Sequence, residues 1–210
     1  MTKIKICGLT DPKEAEYINR NGVEFVGNVL FFEKSKRNIT VERAVSIHRE
    51  LEKGILKVAV VVSPTPDQVL AIEDAGFDLI QIHGTLPGED FLQRNGIGVI
   101  RAFNGEDRSE LAICRESDRI RGVLWDAPLP GSGKLSDWSG FETFRRNLGE
   151  EKTVFLAGGL NPGNVGEAVR ILQPDVVDVS SGVEYPDRPG KDPARVDAFV
   201  AAVKNAVALL

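Results

Sequence analysis

The stretch LKVAVVVSPTPDQVLAIEDAG, residues 56–76, shows the pattern that decides the fold of this 210-residue chain. Leu56–Val62 is an apolar run rich in valine, which is typical of a parallel strand buried on both faces. Thr65-Pro66 marks a helix start, because threonine caps free N–H groups and proline fits the first helical position. Gly76 follows the helical pattern Pro66–Ala75, where a left-handed residue is favoured. The stretch therefore predicts one strand followed by one helix.

The same unit repeats along the chain. Apolar runs predict eight strands, at Lys3–Cys7, Phe25–Val29, Leu56–Val62, Leu79–His83, Gly98–Ala102, Gly122–Asp126, Thr153–Ala157 and Val176–Val179. Helical patterns follow them at Pro12–Asn21, Val41–Lys53, Pro66–Ala75, Glu89–Arg94, Arg108–Arg115, Phe141–Asn147, Pro162–Leu172 and Pro193–Val207. Each unit has about 26 residues, close to the ~30 of a strand–helix–strand crossover. Eight such units predict an α/β protein with a single (β/α)8 barrel over residues 1–210, rather than an open sheet.

The composition excludes several classes of protein. Lysine and arginine number 26 against 31 acidic residues, a net charge of −5, which argues against nucleic acid or an anionic membrane as the main partner. No apolar run approaches the ~20 residues of a membrane span. Apolar alternation begins at once without a signal peptide, so we expect a cytoplasmic protein. The two cysteines, Cys7 and Cys114, and two histidines, His48 and His83, predict neither a disulfide framework nor a zinc site.

Chemically versatile residues stand at the ends of predicted strands, where a barrel of this type carries its active site. Cys7 ends the first strand and is either a small packing residue or a reactive thiol under positive potential. Asp126 ends the sixth strand, where desolvation would raise its pKa and suit a general acid, although a loop-capping role fits equally. Gln81 and His83 end the fourth, and His83 fits an acid, a base or a structural hydrogen-bonding group. Cys114 lies within a helical pattern and is expected to pack.

Two small, donor-rich loops predict a phosphate site. Gly158 and Gly159 follow the seventh strand, and Ser180-Ser181-Gly182 follows the eighth. In this fold the loops after strands 7 and 8 commonly bind phosphate through backbone N–H groups, although two ordinary tight turns would look the same. Gly131-Ser132-Gly133-Lys134 lacks P-loop spacing and is predicted to be a flexible active-site loop. Arg37, in a basic cluster after strand 2, is either solvated or placed to bind a carboxylate in a bidentate manner.

Together these motifs resemble phosphoribosylanthranilate isomerase. The resemblance covers the whole chain, in the segments Lys5-Ile6-Cys7-Gly8-Leu9-Thr10, Ser35-Lys36-Arg37, Gln81-Ile82-His83-Gly84, Leu124-Trp125-Asp126-Ala127, Leu156-Ala157-Gly158-Gly159-Leu160-Asn161-Pro162, Asp178-Val179-Ser180-Ser181-Gly182-Val183-Glu184 and Pro189-Gly190-Lys191-Asp192. Three positions depart from the family pattern. Asn28 replaces an aromatic residue and is expected to alter packing around the substrate ring, Lys36 replaces a proline, and Pro130–Gly133 replaces a Gly-Gly-Thr-Gly loop. No departure removes a catalytic group.

The resemblance implies a step of tryptophan biosynthesis. The reaction would be an Amadori rearrangement of N-(5′-phosphoribosyl)anthranilate to 1-(2-carboxyphenylamino)-1-deoxyribulose 5-phosphate, with no cofactor and no metal. Asp126 would protonate the ribose ring oxygen and Cys7, as a thiolate, would remove the C2′ proton. Arg37 would hold the anthranilate carboxylate, and further substrate contacts are expected from Gln81, His83 and Asp178, the last without an assigned step. Phosphate would bind at Gly158, Gly159, Ser180, Ser181 and Gly182.

Other interpretations fit parts of the sequence. The histidine-pathway and dual-substrate isomerases are similar barrels whose base on strand 1 is an aspartate. Cys7 at that position argues against them. A catalytically idle barrel that serves as a binding module is disfavoured because both Cys7 and Asp126 are present. A metal-dependent sugar-phosphate epimerase would need more histidine and carboxylate ligands at the strand ends. The expected partner is thus a small phosphorylated substrate, and the expected assembly is a monomer or homodimer.

Overall fold

The apolar runs form strands, as their valine-rich composition predicts. The computed structural model describes residues 1–104, 110–126, 139–149 and 151–209. Within these residues eight parallel strands pair in chain order and close into a barrel, which confirms the predicted (β/α)8 architecture. The strands are β1 (Lys3–Cys7), β2 (Phe25–Val29), β3 (Leu56–Val62), β4 (Leu79–His83), β5 (Gly98–Asn104), β6 (Ile120–Asp126), β7 (Thr153–Ala157) and β8 (Val176–Val179). Only β5 and β6 differ from the predicted bounds: β5 ends two residues later and β6 begins two residues earlier.

Helices cover the outside of the barrel. In the described ranges they are α1 (Ala15–Asn21), α2 (Val41–His48), α3 (Pro66–Asp74), α4 (Leu111–Glu116), α5 (Ser139–Leu148), α6 (Val165–Leu172) and α7 (Pro193–Val207). Three short 3-10 turns add to them, at Pro12–Glu14, Glu89–Gln93 and Ser181–Val183. Among the residues described, no helix is both long enough and apolar enough to cross a bilayer.

Several predicted helix bounds were wrong. The helix predicted for Val41–Lys53 ends at His48, because the next residues make tighter bonds between residues three apart. The helix predicted for Glu89–Arg94 is a 3-10 turn, Glu89–Gln93, whose N-cap is a glycine and offers no side chain to cap an α-helix. The helix predicted from Pro162 begins at Val165, because the Asn161 side chain accepts the N–H of Gly163 and forms a turn. The first residues of Arg108–Arg115 lie outside the described residues.

The N-cap predicted at Thr65 is confirmed, and Asp11 and Asp192 cap the turns that follow them in the same way. The side chains of Asp11, Thr65 and Asp192 each accept a backbone N–H from the turn that follows them. Each cap stands in a loop that leaves the carboxyl end of a strand. The caps therefore fix loops at the end of the barrel where the site lies.

The strands separate two apolar layers. Ile4, Ile6 and their counterparts point outward and pack under the helices. The inner layer includes Phe25 and Phe155, whose rings meet edge to face with centroids 5.4 Å apart. Because side chains alternate along a strand, Lys5 and Cys7 share the inward face of β1. The barrel interior is thus mostly apolar, and a few polar side chains such as Lys5 point into it.

Candidate active site

A cavity of about 340 Å³ opens at the carboxyl end of the barrel, a volume suited to a small molecule. It brings together ten of the eleven predicted site residues, namely Cys7, Arg37, Gln81, His83, Asp126, Gly158, Gly159, Asp178, Ser180 and Ser181. The eleventh, Gly182, is adjacent in sequence. Within the described parts of the chain, no group of three or more metal-ligating side chains could hold a metal ion. The predicted loop Gly131-Ser132-Gly133-Lys134 lies outside the described residues.

Cys7 is the last residue of β1 and is buried at the wall of this cavity. Gly27 of β2 lies beside it, where an added Cβ would come within 2.9 Å of the Cys7 sulfur. Only glycine leaves room for the thiol there. Burial raises the pKa of Cys7, while the charges of Lys5 and Lys191 act in the opposite direction. The thiolate thus forms only with help from nearby positive charge.

Asp126 ends β6 and enters the same cavity from the opposite part of the barrel wall. Burial, together with the negative charge of Asp178, raises the pKa of Asp126 to about 6. An ordinary aspartate has a pKa near ~3.9 and would hold almost no proton at neutral pH. Asp126 keeps a useful protonated fraction there, as the sequence predicted for a general acid.

A buried ion pair joins β1 to β8 next to Cys7. The residues Lys5 and Asp178 are register partners of the two strands, and the Lys5 Nζ lies 2.7 Å from the Asp178 Oδ2. The Asp178 Oδ1 is also buried and has no hydrogen-bond partner among the described residues. Asp178 thus presents an unused acceptor in a residue that lines the cavity.

Arg37 reaches the cavity rim from the loop after β2. Its aliphatic chain covers Gly8, where an added Cβ would lie 2.5 Å from the Arg37 Cδ. The Arg37 Nε donates to the Glu184 carboxylate, which also accepts from Lys36 and Lys191 at 2.8 and 3.0 Å. Burial alone would raise the pKa of Glu184, but hydrogen bonds from Arg37 and Lys36 and the charge of Lys191 lower it to about 2. Arg37 is therefore held in place by a permanently charged partner.

Gln81 and His83 project inward from β4, one above the other. The Gln81 Nε2 lies 2.9 Å from the His83 Nε2, and the buried Gln81 Oε1 has no hydrogen-bond partner among the described residues. This contact fits the structural hydrogen-bonding role that the sequence allowed for His83.

The loops after β7 and β8 pack tightly against each other. Gly158 and Gly159 both have positive φ angles, and an added Cβ at Gly182 would lie 2.0 Å from the Leu160 carbonyl oxygen. The Ser180 hydroxyl donates to the Cys7 carbonyl at 3.0 Å, so its side chain is already engaged in joining β8 to β1. Gly158 and Gly159 therefore offer backbone at this side of the cavity.

Asn28 does not face the cavity. It lies on the outward face of β2, donates to the Leu9 carbonyl at 3.0 Å and is 2.9 Å from the Nε2 of His48 on α2. Burial lowers the pKa of His48 to about 4, so the ring is neutral at pH 7. The expectation that Asn28 alters packing around a substrate ring was wrong, because strand alternation turns its side chain toward the helices.

The comparisons with known proteins agree with this geometry. Residues 4–202 match the family model for N-(5′-phosphoribosyl)anthranilate isomerase. The chain belongs to the phosphoribosylanthranilate isomerase family. The isomerase of Chlamydia caviae is 37% identical over 209 residues, which cover 97% of each chain.

Solved structures of the family have the same barrel. The phosphoribosylanthranilate isomerase of Thermotoga maritima superposes with a TM-score of 0.81 at 33% identity, covering 98% of this chain and all of that one. A phosphoribosylanthranilate isomerase bound to reduced 1-(o-carboxyphenylamino)-1-deoxyribulose 5-phosphate has a TM-score of 0.79 at 31% identity, with 98% and 100% coverage.

The motifs that carried the resemblance contain three buried charged residues to which the sequence gave no role. They are Lys5, Glu184 and Lys191, and each is buried within the cluster that surrounds Cys7 and Arg37. A lysine at an inward position of a strand was the available signal for Lys5. No comparable signal marked the other two, because they lie in a loop whose path depends on the whole barrel.

Proposed function

We propose that this protein catalyses the reaction of its family, the Amadori rearrangement of N-(5′-phosphoribosyl)anthranilate to 1-(2-carboxyphenylamino)-1-deoxyribulose 5-phosphate. One observation carries the proposal. A buried thiol, Cys7, and a carboxyl with a pKa of about 6, Asp126, enter one cavity from β1 and β6. The acid and the base can therefore act on the same sugar from two sides of the cavity.

Asp126 acts first. Its proton goes to the ribose ring oxygen, the bond between that oxygen and C1′ breaks, and the nitrogen lone pair forms an iminium. The elevated pKa matters because a general acid is most effective when its pKa lies near the working pH. The ring opens and Asp126 is left as a carboxylate.

Cys7 acts second. Its thiolate removes the C2′ proton, and the electron pair of that C–H bond moves into the iminium to form an enolamine. The enolamine becomes the ketone when a proton leaves the C2′ hydroxyl and another reaches C1′. Thiolate is a sufficient base here because the iminium makes the C2′ proton acidic. The overall reaction is an isomerisation and consumes no co-reactant.

Binding is divided between the two sides of the cavity. Arg37, anchored by Glu184, is placed to hold the anthranilate carboxylate, since guanidinium matches a carboxylate with two parallel bonds. Phosphate is placed at the loops after β7 and β8, with Gly158, Gly159, Ser181 and Gly182 offering backbone N–H groups. Gln81, His83 and Asp178 face the sugar between these two ends.

The wider organisation follows from the same proposal. One catalytic domain spans residues 1–210, and the substrate is its only partner in catalysis. The monomer or homodimer and the cytoplasmic location predicted from the sequence stay predictions.

The test is an assay of the purified protein with freshly made N-(5′-phosphoribosyl)anthranilate, following the loss of its fluorescence. We expect turnover that saturates with substrate, and a product that matches synthetic 1-(2-carboxyphenylamino)-1-deoxyribulose 5-phosphate. The double variant Cys7→Ser/Asp126→Asn, checked for folding by circular dichroism, is the matched control. No turnover above that control would refute the proposed function.

A further inference from the structure

A fully buried lysine stands inside the barrel, and neither chemical step uses it. Lys5 has no exposed surface, and its ammonium group pairs with Asp178 at 2.7 Å. Burying a charged pair is expensive in free energy, and an apolar pair of similar volume often gives equal stability. A buried ion pair at this position therefore calls for a reason other than stability.

The charges around Cys7 do not cancel. Around Cys7, the cations that are mostly shielded from solvent are Lys5, Lys191 and Arg37, and their carboxylate partners are Asp178 and Glu184, which also pairs with the exposed Lys36. With Asp126 protonated, as ring opening requires, three cations face two carboxylates, an excess of one positive charge. An ionised Cys7 would neutralise that excess.

The position of Lys5 makes it the cation best placed to act. Lys5 and Cys7 are two residues apart on one strand, so both side chains leave the same inward face of β1. The register of β1 and β8 sets Asp178 beside Lys5, and Asp178 takes the ammonium group through one oxygen only. We propose that Lys5 is a positioning residue for the reaction, whose buried ammonium group, anchored by Asp178, favours the thiolate form of Cys7.

The electrostatics of the cluster agree with this assignment. Burial has the largest effect and raises the pKa of Cys7, and the charge of Lys5 is the strongest influence that lowers it. Asp178 acts to raise the pKa of Cys7, and Lys191 acts to lower it. Burial lowers the pKa of Lys5 itself, but the charges of Asp178 and Cys7 outweigh burial and raise it. Lys5 is therefore protonated throughout the working pH range.

Other charged groups face Cys7 from neighbouring elements. Lys191 comes from the loop before α7, and Arg37 comes from the loop after β2. Strand β2 itself adds no charge beside Cys7, because its residue there is Gly27. Asp126 faces it across the cavity from β6, and His83 from β4. Of these groups, Lys191 and Arg37 share the single carboxylate of Glu184, so they keep a net positive charge that adds to the effect of Lys5.

The experiment measures Cys7 ionisation directly, in the protein without substrate. Thiolate absorbance in the ultraviolet is followed against pH, and the spectrum of Cys7→Ser is subtracted at each pH to remove Cys114 and tyrosine. Lys5→Met/Asp178→Asn replaces the buried pair by neutral groups of similar size. Lys152→Met is the control, because Lys152 is also buried but donates to Ser117 and Ile120 carbonyls at the other end of the barrel.

We expect the thiolate fraction at a fixed pH to fall about tenfold in Lys5→Met/Asp178→Asn, equivalent to one pKa unit, and to stay at the parent value in Lys152→Met. A parent-like thiolate titration in the folded double variant would overturn the proposal. The inference rests on the proposed function only in treating Cys7 as the base, and this titration needs no turnover.

Discussion

Asp126 shows how a single buried carboxyl links activity to stability. In the folded protein its pKa lies near 6 because of burial and the charge of Asp178, whereas an unfolded aspartate titrates near ~3.9. The folded state thus holds the proton more tightly. Its contribution to stability is complete below pH ~4 and is lost as the pH rises through 6.

Asp126→Asn separates these two effects. It removes the proton donor, so we expect kcat to fall about 10²–10⁴-fold while the product still binds. Because the variant no longer ionises, it should be more stable than the parent above pH 6, by roughly 2–3 kcal/mol at most, and equally stable near pH ~4. Urea titrations at both pH values measure the change in stability, and single-turnover kinetics measure the loss of rate. Parent-like turnover, or a stability difference independent of pH, would show that Asp126 is not the buried acid.

The residues of the site were predictable to different degrees. Cys7 and Asp126 stand at strand ends, and the end of an apolar run is visible in sequence. The role of Lys5 depends on its register with Asp178, which no local pattern encodes. Asn28 was misjudged for a different reason, since alternation divides the side chains of β2 between two faces but the closed barrel decides which face points inward.

At the scale of elements, Glu184 ties two loops together. Glu184 lies in the loop between β8 and α7, and its carboxylate accepts from Lys36 and Arg37 of the loop after β2 and from Lys191 of its own loop. The low pKa of Glu184, about 2, arises from these partners despite burial. Its stabilising effect is therefore present above the ordinary glutamate pKa and is lost as the pH falls toward 2.

Glu184→Gln should release Arg37 without removing it. We expect KM for the substrate to rise about tenfold, with a smaller change in kcat, and stability to fall near neutral pH but approach the parent value in acid. Steady-state kinetics and thermal unfolding at several pH values measure this. Asp197→Asn, which breaks an exposed pair with Arg20, is the matched control and should leave KM unchanged. Equal KM values in Glu184→Gln and the control would show that Glu184 does not position Arg37.

A second prediction at this scale concerns the contact between the loops after β7 and β8. Gly182→Ala adds a Cβ that would meet the Leu160 carbonyl, so the loops must separate. We expect inhibition by inorganic phosphate to weaken at least about tenfold, while Gly166→Ala, where the new Cβ finds ordinary space in α6, keeps it. Phosphate binding as strong in Gly182→Ala as in the parent would place the phosphate elsewhere.

The whole molecule explains why so much of the fold was visible in the sequence. Each strand pairs with the next in chain order, so eight local strand–helix units specify most of the barrel. Helix ends were less predictable where turns of neighbouring loops compete, as at Asn161. The closing pair, β1 with β8, joins the two ends of the chain, and it is this pair that creates the Lys5–Asp178 contact beside Cys7. The electrostatic environment of Cys7, the proposed catalytic base, therefore depends on closure of the barrel.

The central claim is that Cys7 is the base facing Asp126 in one closed barrel, and Cys7→Ser tests it most directly. Serine keeps the size of the side chain but is a far weaker acid, so almost no alkoxide forms at neutral pH. The measurement is kcat of the folded variant with N-(5′-phosphoribosyl)anthranilate, beside Cys114→Ser as the control thiol. We predict a loss of about 10²–10⁴-fold in Cys7→Ser and parent-like turnover in Cys114→Ser. Near-normal turnover in Cys7→Ser would contradict the account.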